Sequence, residues 1–155
     1  MEGTFPMKQL TLLLLLGASM FAGTDFSGDW KLDPAKSDFG PMPAPDKLIM
    51  KVSHKDPELK VTMEQANQQG EMKMDASYTT DGKESKNKMR GSDATTTAKW
   101  DGDALVMVTK ADFQGNEIKL NDKWTLTDGG KTLVIDRKIE APQGEFEVKQ
   151  VLTKQ

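Results

Sequence analysis

Apolar and polar residues alternate along most of the chain beyond residue 24. With a period of two and one polar face, this pattern is typical of antiparallel β-strands that contact water on one side. Apolar residues do not recur there at the spacing of a helix. Four runs show the alternation most clearly. Their apolar residues are Leu48, Met50 and Val52; Leu59, Val61 and Met63; Met72, Met74, Ala76 and Tyr78; and Ile118, Leu120, Trp124 and Leu126.

Turn signals separate these alternating runs. Asp81-Gly82, Asp101-Gly102 and Asp128-Gly129-Gly130 are clear examples, because Asp-Gly supplies the positive φ that tight hairpins need. The signals recur about every 10–15 residues, as in a meander of short strands. We therefore predict strands over residues 26–32, 47–54, 58–66, 71–80, 84–90, 94–101, 104–111, 116–126, 131–139 and 145–153.

This element list predicts an all-β protein, an antiparallel up-and-down β-barrel of about 8–10 strands. Closure of the barrel would remove exposed strand edges, and a two-sheet sandwich is the alternative. Two stretches depart from the pattern. Asp33 to Asp46 is rich in proline, which predicts an irregular crossing that could cover one end of the barrel. Leu105 to Val108 is apolar on both faces, which leaves its register open.

The N-terminus has the layout of a secretory signal. Lys8 precedes the leucine-rich run from Leu10 to Leu16, and small residues such as Gly17 and Ala18 follow. The run is much shorter than the roughly 20 residues that span a bilayer. We expect a signal-peptide helix in residues 1–23 that is cleaved, a secreted or periplasmic β-barrel domain in residues 24–155, and no stable membrane span in the mature form. A buried N-terminal helix is the alternative.

Composition narrows the possible chemistry. The chain has 155 residues, a formal net charge of -3 and no cysteine, which excludes thiolate metal sites, redox pairs and a cysteine nucleophile. Basic residues are interspersed with acidic ones, so we expect no nucleic-acid partner. No sequence motif for a nucleotide or a metal is present, and we expect no cofactor. The sequence leaves the oligomeric state open.

The predicted first strand carries a known opening motif. Gly28-Asp29-Trp30 is a G-x-W, followed by Lys31-Leu32, and it resembles the opening motif of the lipocalin (calycin) family. With the stretches from Lys99 to Val106 and from Lys123 to Leu133, it resembles secreted lipocalin-like (calycin-type) β-barrel proteins of bacteria. The resemblance implies the barrel fold and no assigned reaction. True lipocalins also carry a C-terminal helix and often a disulfide. This sequence shows no pattern for such a helix, and it has no cysteine for a disulfide.

Several polar residues fall in the inward register of the predicted strands. They are His54, Gln65, Asp122, Arg137 and Gln150. The resemblance implies that a basic residue on a late strand packs over Trp30, and Arg137 is the candidate; alternatively it reaches water at a strand end. An inward Asp122 is costly unless paired, so it either pairs with Arg137, turns outward at a β-bulge or contacts a ligand. We expect His54, next to a turn, to be a solvated strand-end residue.

Methionine is the distinctive residue type of the predicted inner face. Met50, Met63, Met72, Met74, Met89 and Met107 lie in predicted strands. Flexible thioether side chains fill gaps in a core, and they also line adaptable pockets for apolar ligands. Cu(I) binding by thioethers is a third interpretation.

These observations favour a non-enzymatic exported barrel that binds a small apolar or amphipathic ligand in its interior, with Asp33–Asp46 near the mouth. One alternative is a filled barrel that acts as a protein-interaction module, such as an inhibitor or envelope assembly factor, through Phe39, Pro41, Met42 and Phe113. Another is a cavity enzyme that uses Asp122, Arg137 and His54. The predicted ligand-binding residues are Met50, Met63, Met72, Met74, Tyr78, Trp100, Asp122, Trp124 and Arg137.

Overall fold

A computed structural model describes residues 24–155. Apart from one 3-10 turn at Asp128–Gly130, every regular element in this part of the chain is a strand. Within these residues, no helical segment has the length and the apolar character needed to cross a membrane. The strands are β1 (Gly28–Leu32), β2 (Lys47–Lys55), β3 (Glu58–Asn67), β4 (Gly70–Thr79), β5 (Asp81–Met89), β6 (Ser92–Asp101), β7 (Ala104–Phe113), β8 (Asn116–Thr127), β9 (Thr132–Ala141) and β10 (Gly144–Lys154).

The ten strands form one antiparallel sheet in the order β4-β3-β2-β1-β10-β9-β8-β7-β6-β5. Strands that follow one another in the chain pair with each other, except β4 and β5, and β1 pairs with β10 through Trp30↔Lys154 and Leu32↔Leu152. The sheet curls so that its two edge strands, β4 and β5, come together in a nearly closed barrel. The all-β up-and-down barrel is therefore confirmed, with ten strands close to the predicted positions. The expected signal segment lies outside the described residues.

Side chains, rather than a backbone ladder, bridge the seam between β4 and β5. The Asn87 amide accepts from the Ser77 N–H at 2.9 Å and donates to the Ser77 carbonyl at 3.0 Å. The Ser85 hydroxyl accepts from the Thr79 N–H at 3.1 Å. Asn87 thereby reproduces the two hydrogen bonds that a neighbouring strand would make.

Alternate residues of each strand point into the barrel, as the sequence pattern predicts. Met50, Met63 and Met74 are cross-strand neighbours on the inner face of β2, β3 and β4. The structure also assigns the register of the doubly apolar stretch in β7. Leu105 and Met107 are buried inside, whereas Val106 is half-buried on the outer face.

The two ends of the barrel differ. We call the end with the turns at 55–58, 101–104 and 127–132 the closed end, and the end with the turns at 67–70, 89–92, 113–116 and 141–144 the open end. The largest fully buried side chains belong to the closed half and the middle of the barrel. They are Trp30, Phe26, Leu59, Leu105, Leu133, Ile135 and Leu152.

The irregular segment Asp33 to Asp46 begins alongside β10. Asp38 and Lys149 exchange two backbone hydrogen bonds of 2.8 and 2.7 Å, and the Ser37 hydroxyl accepts from the Val151 N–H at 2.9 Å. Phe39 then packs against the core. The segment thus extends the short β1 edge along β10 before the chain turns back into β2.

The cation over Trp30 is Lys154, not Arg137. Register places Lys154 opposite Trp30, and its Nζ lies 5.6 Å from the ring centroid. Gly28 makes room for this contact, since a Cβ there would lie 2.8 Å from the Lys154 Cε. The expected packing of Arg137 on Trp30 is therefore wrong, because Arg137 has a carboxylate partner on its neighbouring strand.

Candidate functional site

Several inward-facing apolar side chains at the open end are only half-buried, although Leu48, Ala94 and Ala111 there are buried. In the closed half most of their counterparts are packed away from water, so the difference indicates an interior that water reaches from the open end. The half-buried inward side chains of β3, β4, β5, β8, β9 and β10 are Met63, Gln65, Met72, Met74, Met89, Ile118, Ile139 and Phe146.

Small side chains form one wall of this open half. Ala94 pairs with Ala111, and Thr96 pairs with Thr109, on the inner faces of β6 and β7. The two threonine hydroxyls hydrogen-bond each other at 2.8 Å, which satisfies both of them inside the wall. Because alanine and threonine reach only a short way inward, this wall takes up little of the interior, and the flexible methionines of β3, β4 and β5 can adapt their shape beside it.

An ion pair lies on the inner face at mid-depth. The Arg137 Nε donates to Asp122 Oδ1 at 2.7 Å and its Nη2 donates to Asp122 Oδ2 at 2.8 Å. The two residues face each other directly across β8 and β9, and no bulge interrupts the ladder there. The Asp122 side chain is 8% exposed and that of Arg137 is 29% exposed. The sequence left three arrangements open for Asp122, and the structure contains the ion pair.

Tyr78 lies close enough to this pair to interact with both charges. Burial raises the pKa of the Tyr78 hydroxyl to about 12; the Arg137 charge opposes this rise and the Asp122 charge adds to it. Burial also acts to lower the pKa of Arg137, but the Asp122 carboxylate outweighs it and the net pKa is raised. The centre of the barrel interior therefore holds a neutral phenol beside the Asp122–Arg137 ion pair.

Trp124 occupies the next inward position along β8 from Asp122. It is buried, and its ring meets Phe26 edge-on with centroids 5.6 Å apart. Its indole Nε1–H has no hydrogen-bond partner within residues 24–155. A buried donor without a partner is costly, and sites that bind a polar group are one place where such donors occur.

The closed end is built around His54, which is 8% exposed rather than solvated as expected. Its Nδ1 accepts from the Phe26 N–H at 3.2 Å, so its proton is on Nε2, which lies 3.1 Å from Asp56 Oδ1. The imidazole is stacked with Phe26 and with Trp100 at centroid distances of 5.8 and 5.7 Å. These contacts make His54 part of a plug across this end of the barrel.

Asp56 connects the plug to Thr80, between β4 and β5, and to Trp100 of β6. Its Oδ1 accepts from the Thr80 hydroxyl at 2.6 Å and from the Trp100 Nε1 at 3.2 Å. Burial pushes the pKa of Asp56 upward, but the hydrogen bonds from Thr80, His54 and Trp100 outweigh it and the net pKa is below its usual 3.8. A single carboxylate thus collects donors from residues far apart in sequence.

The predicted ligand-binding residues fall into three places. Met63, Met72 and Met74 line the open half of the lumen, and Tyr78, Asp122 and Arg137 lie near its centre. Met50, Trp100 and Trp124 belong to the packed core of the closed half. The imidazole hydrogen bonds of His54 go to Phe26 and Asp56, so the structure does not join His54 to Asp122 and Arg137.

The sequence analysis missed the residues that close one end of the barrel and its seam. Phe26, Asp56 and Thr80 hold the plug, and no local signal marks them because their partners lie elsewhere in the chain. Ser85 and Asn87 bridge the seam, and a signal for them exists. The inward positions of β5 are polar until Met89, which is unusual for a strand whose inner face meets a core.

A groove of about 500 Å³ lies outside the barrel, on the outer face of β8, β9 and β10. Four basic residues and four carboxylates, Asp122 and Arg137 among them, line it, so it offers no single charge to a ligand. Within residues 24–155, no group of three or more histidine, aspartate or glutamate side chains could hold a metal ion. The charged outer residues of the groove are Lys123, Lys138, Lys149, Asp38, Asp136 and Glu147.

No protein-family model matches the sequence, and a search of curated proteins gives no significant match. Solved structures do match. A secretory abundant heat soluble protein from Ramazzottius varieornatus superimposes with a TM-score of 0.64 at 14% identity, covering 86% of this chain and 97% of that one. Zebrafish ileal bile acid-binding protein, solved with cholic acid, gives a TM-score of 0.58 at 17% identity, covering 84% of this chain and 98% of that one.

Fatty-acid-binding protein 1 of Echinococcus granulosus gives a TM-score of 0.54 at 14% identity, covering 83% of this chain and 96% of that one. At these identities the likeness shows the fold alone.

Proposed function

We propose that this chain is an exported, non-enzymatic barrel that binds one small apolar or amphipathic molecule in its lumen. The observation that carries the proposal is the half-buried apolar lining of the open end, which faces the small side chains Ala94 and Ala111. Apolar side chains left accessible inside a barrel recover burial when a ligand covers them. A barrel of about this strand number has an interior suited to one small ligand.

The lumen also offers polar partners, which favours an amphipathic ligand over a plain hydrocarbon. Tyr78, Asp122 and Arg137 lie beyond the apolar lining when the lumen is entered from the open end. A few placed polar groups within an apolar pocket fix the orientation of a ligand. Two structural neighbours are named for binding fatty acids and bile acids, which are amphipathic molecules.

Titration of the full chain with Nile red, a neutral dye that becomes fluorescent in apolar surroundings, tests the proposal. We expect saturable binding of one dye per chain. Met74→Trp places a larger side chain on the lumen wall and should weaken dye binding by about tenfold or more, because it occupies ligand volume. Lys73→Trp is the matched control, since Lys73 is the neighbouring residue of β4 and faces water.

Dye binding that does not saturate, or that responds equally to the two tryptophan variants, would contradict binding in the lumen. Circular dichroism of both variants should match that of the parent chain, which separates loss of the pocket from loss of the fold.

Export is proposed from the sequence of residues 1–23, with Lys8 before a leucine-rich run and small residues after it. One structural neighbour is itself named as a secretory protein. N-terminal sequencing of protein recovered outside the cytoplasm should begin between Met20 and Thr24. Recovery of intact Met1 on protein that stays in the cytoplasm would contradict export.

A further inference from the structure

The charged side chains that face the lumen balance one another. Among the inward positions of residues 24–155 that lie between the two ends of the barrel, the acidic one is Asp122 and the basic one is Arg137. Tyr78 adds a neutral phenol beside them. His54 belongs to the plug, and Lys154 lies over Trp30 at the closed end. A ligand that enters from the open end therefore meets one ion pair with no net charge.

The geometry of the pair matches each charge to the other. Both Asp122 oxygens accept from Arg137, through parallel hydrogen bonds of 2.7 and 2.8 Å. This fork geometry is the strongest arrangement of the two groups. Breaking it would leave the Asp122 carboxylate, which is almost fully buried, without a partner.

Resting on the function proposed above, we infer that the ligand carries an uncharged polar group, such as an alcohol, an ester or an amide, rather than a carboxylate, a phosphate or an amine. An anion at the pair meets the Asp122 charge, and a cation meets the Arg137 charge. Like-charge contacts in a buried site are costly. An uncharged hydroxyl or carbonyl accepts hydrogen bonds without displacing either residue.

Two further groups near the pair suit an uncharged head. The Tyr78 hydroxyl stays protonated at neutral pH and can both donate and accept. The Trp124 Nε1–H, one inward position from Asp122, is a buried donor without a partner in the described chain. An alcohol or carbonyl oxygen would satisfy such a donor without bringing a charge to it.

Competition against Nile red with three twelve-carbon amphiphiles tests the inference on the full chain. The probes are dodecanol, dodecanoate and dodecylamine, at about pH 8, where the acid and the amine are both ionised. Wild type should bind dodecanol most tightly. Because any apolar cavity disfavours ions, the diagnostic quantity is how the preference changes when the pair is broken.

Asp122→Asn keeps the shape of the side chain and leaves Arg137 unneutralised. The ratio of dodecanoate to dodecanol affinity should rise by about tenfold or more, since the freed guanidinium can pair with a carboxylate. Arg137→Gln is the mirror-image test, and it should raise the ratio of dodecylamine to dodecanol affinity by a similar factor. Either variant alone is sufficient if the other does not fold.

Asp136→Asn is the matched control, because Asp136 adjoins Arg137 on β9 but faces outward. It removes the same charge and should leave all three affinities within about twofold of wild type. If the folded pair variants leave the ratios unchanged, or if wild type binds dodecanoate more tightly than dodecanol, the inference is overturned. If wild type binds Nile red but dodecanol does not compete with it, the inference is also overturned. If wild type binds neither Nile red nor any of the three probes, the proposed lumen function fails instead.

Discussion

The closed and open halves of the barrel are made from the same strands but are filled differently. At the closed end, the side chains of Phe26, Trp30 and His54 exclude water almost completely, and Phe26 stacks with His54. At the open end, Met74 and Phe146 point inward from the same kind of strand and remain half-accessible. Alternation therefore sets which side chains face inward, but it does not decide whether they pack together or stay accessible to water.

This difference implies that the closed half mainly stabilises the fold, whereas the open half is free to bind a ligand. A filled half supplies the burial that holds the strands in register. The other half can then keep its inward side chains accessible without loss of the fold. Such a division predicts that substitutions of similar chemistry have different effects on unfolding according to the half in which they lie.

The largest expected contrast is between two aliphatic residues of β9. Leu133 is fully buried in the closed half, whereas Ile139 is half-buried in the open half. Leu133→Ala should lower the free energy of unfolding by about 3 kcal/mol, and Ile139→Ala by about 1 kcal/mol, because only the first leaves a cavity in a packed core. Urea unfolding of the two variants measures both values. Equal losses would mean that both halves are packed alike.

The next effect concerns the ion pair at the boundary of the two halves. Asp122→Ala removes the partner of Arg137 and should cost about 2–3 kcal/mol, below the range for a fully buried pair because Arg137 reaches some water. The double variant Asp122→Leu/Arg137→Met should recover most of that loss, since no unpaired charge remains. Chemical denaturation of the single and double variants gives the coupling energy. A double variant no more stable than Asp122→Ala would contradict this account.

Local signals in the sequence suffice to predict the strands, the barrel and the inward register of Asp122 and Arg137. In β8, for example, Ile118 and Leu120 share a face with Asp122, and the period of two that places them there is a local property of the chain. The choice between an ion pair and a bulge needed the register of β8 against β9. That register follows from the whole hairpin rather than from either residue.

The closed end could not be predicted in the same way. His54 adjoins a turn, which favours solvent exposure, and its burial depends on Phe26, which precedes β1. Asp56 meets Thr80 and Trp100 only after the barrel has curled. Contacts between distant turns depend on the closure of the barrel, and alternation within single strands does not encode them.

A smaller effect tests whether the hydrogen bonds of Asp56 in the plug stabilise the folded state. Asp56→Asn weakens three hydrogen bonds and should cost about 1 kcal/mol near neutral pH, since half of the side chain is in water. The pKa of Asp56 is lower in the folded state than its usual 3.8. Its contribution is therefore present above that value and is lost as the pH falls through the folded pKa.

The stability of wild type should accordingly fall more steeply than that of Asp56→Asn as the pH is lowered below about 4. Thermal unfolding across that range measures both profiles. Glu71→Gln, at an exposed position on the outer face of the open half, provides a control for general loss of a carboxylate. Parallel profiles for wild type and Asp56→Asn would show that the hydrogen bonds at Asp56 do not stabilise the folded state.

The smallest expected effect concerns the seam between β4 and β5. Asn87→Ala removes the two hydrogen bonds to the Ser77 backbone and should cost about 0.5–1 kcal/mol, because both groups are partly exposed to water. Exchange of the Ser77 amide hydrogen should accelerate, whereas that of Val61 in the intact β2–β3 ladder should not. Faster ligand entry without faster global unfolding would indicate that the seam opens locally. Uniform acceleration across the barrel would instead make Asn87 part of the same cooperative unit as the closed half.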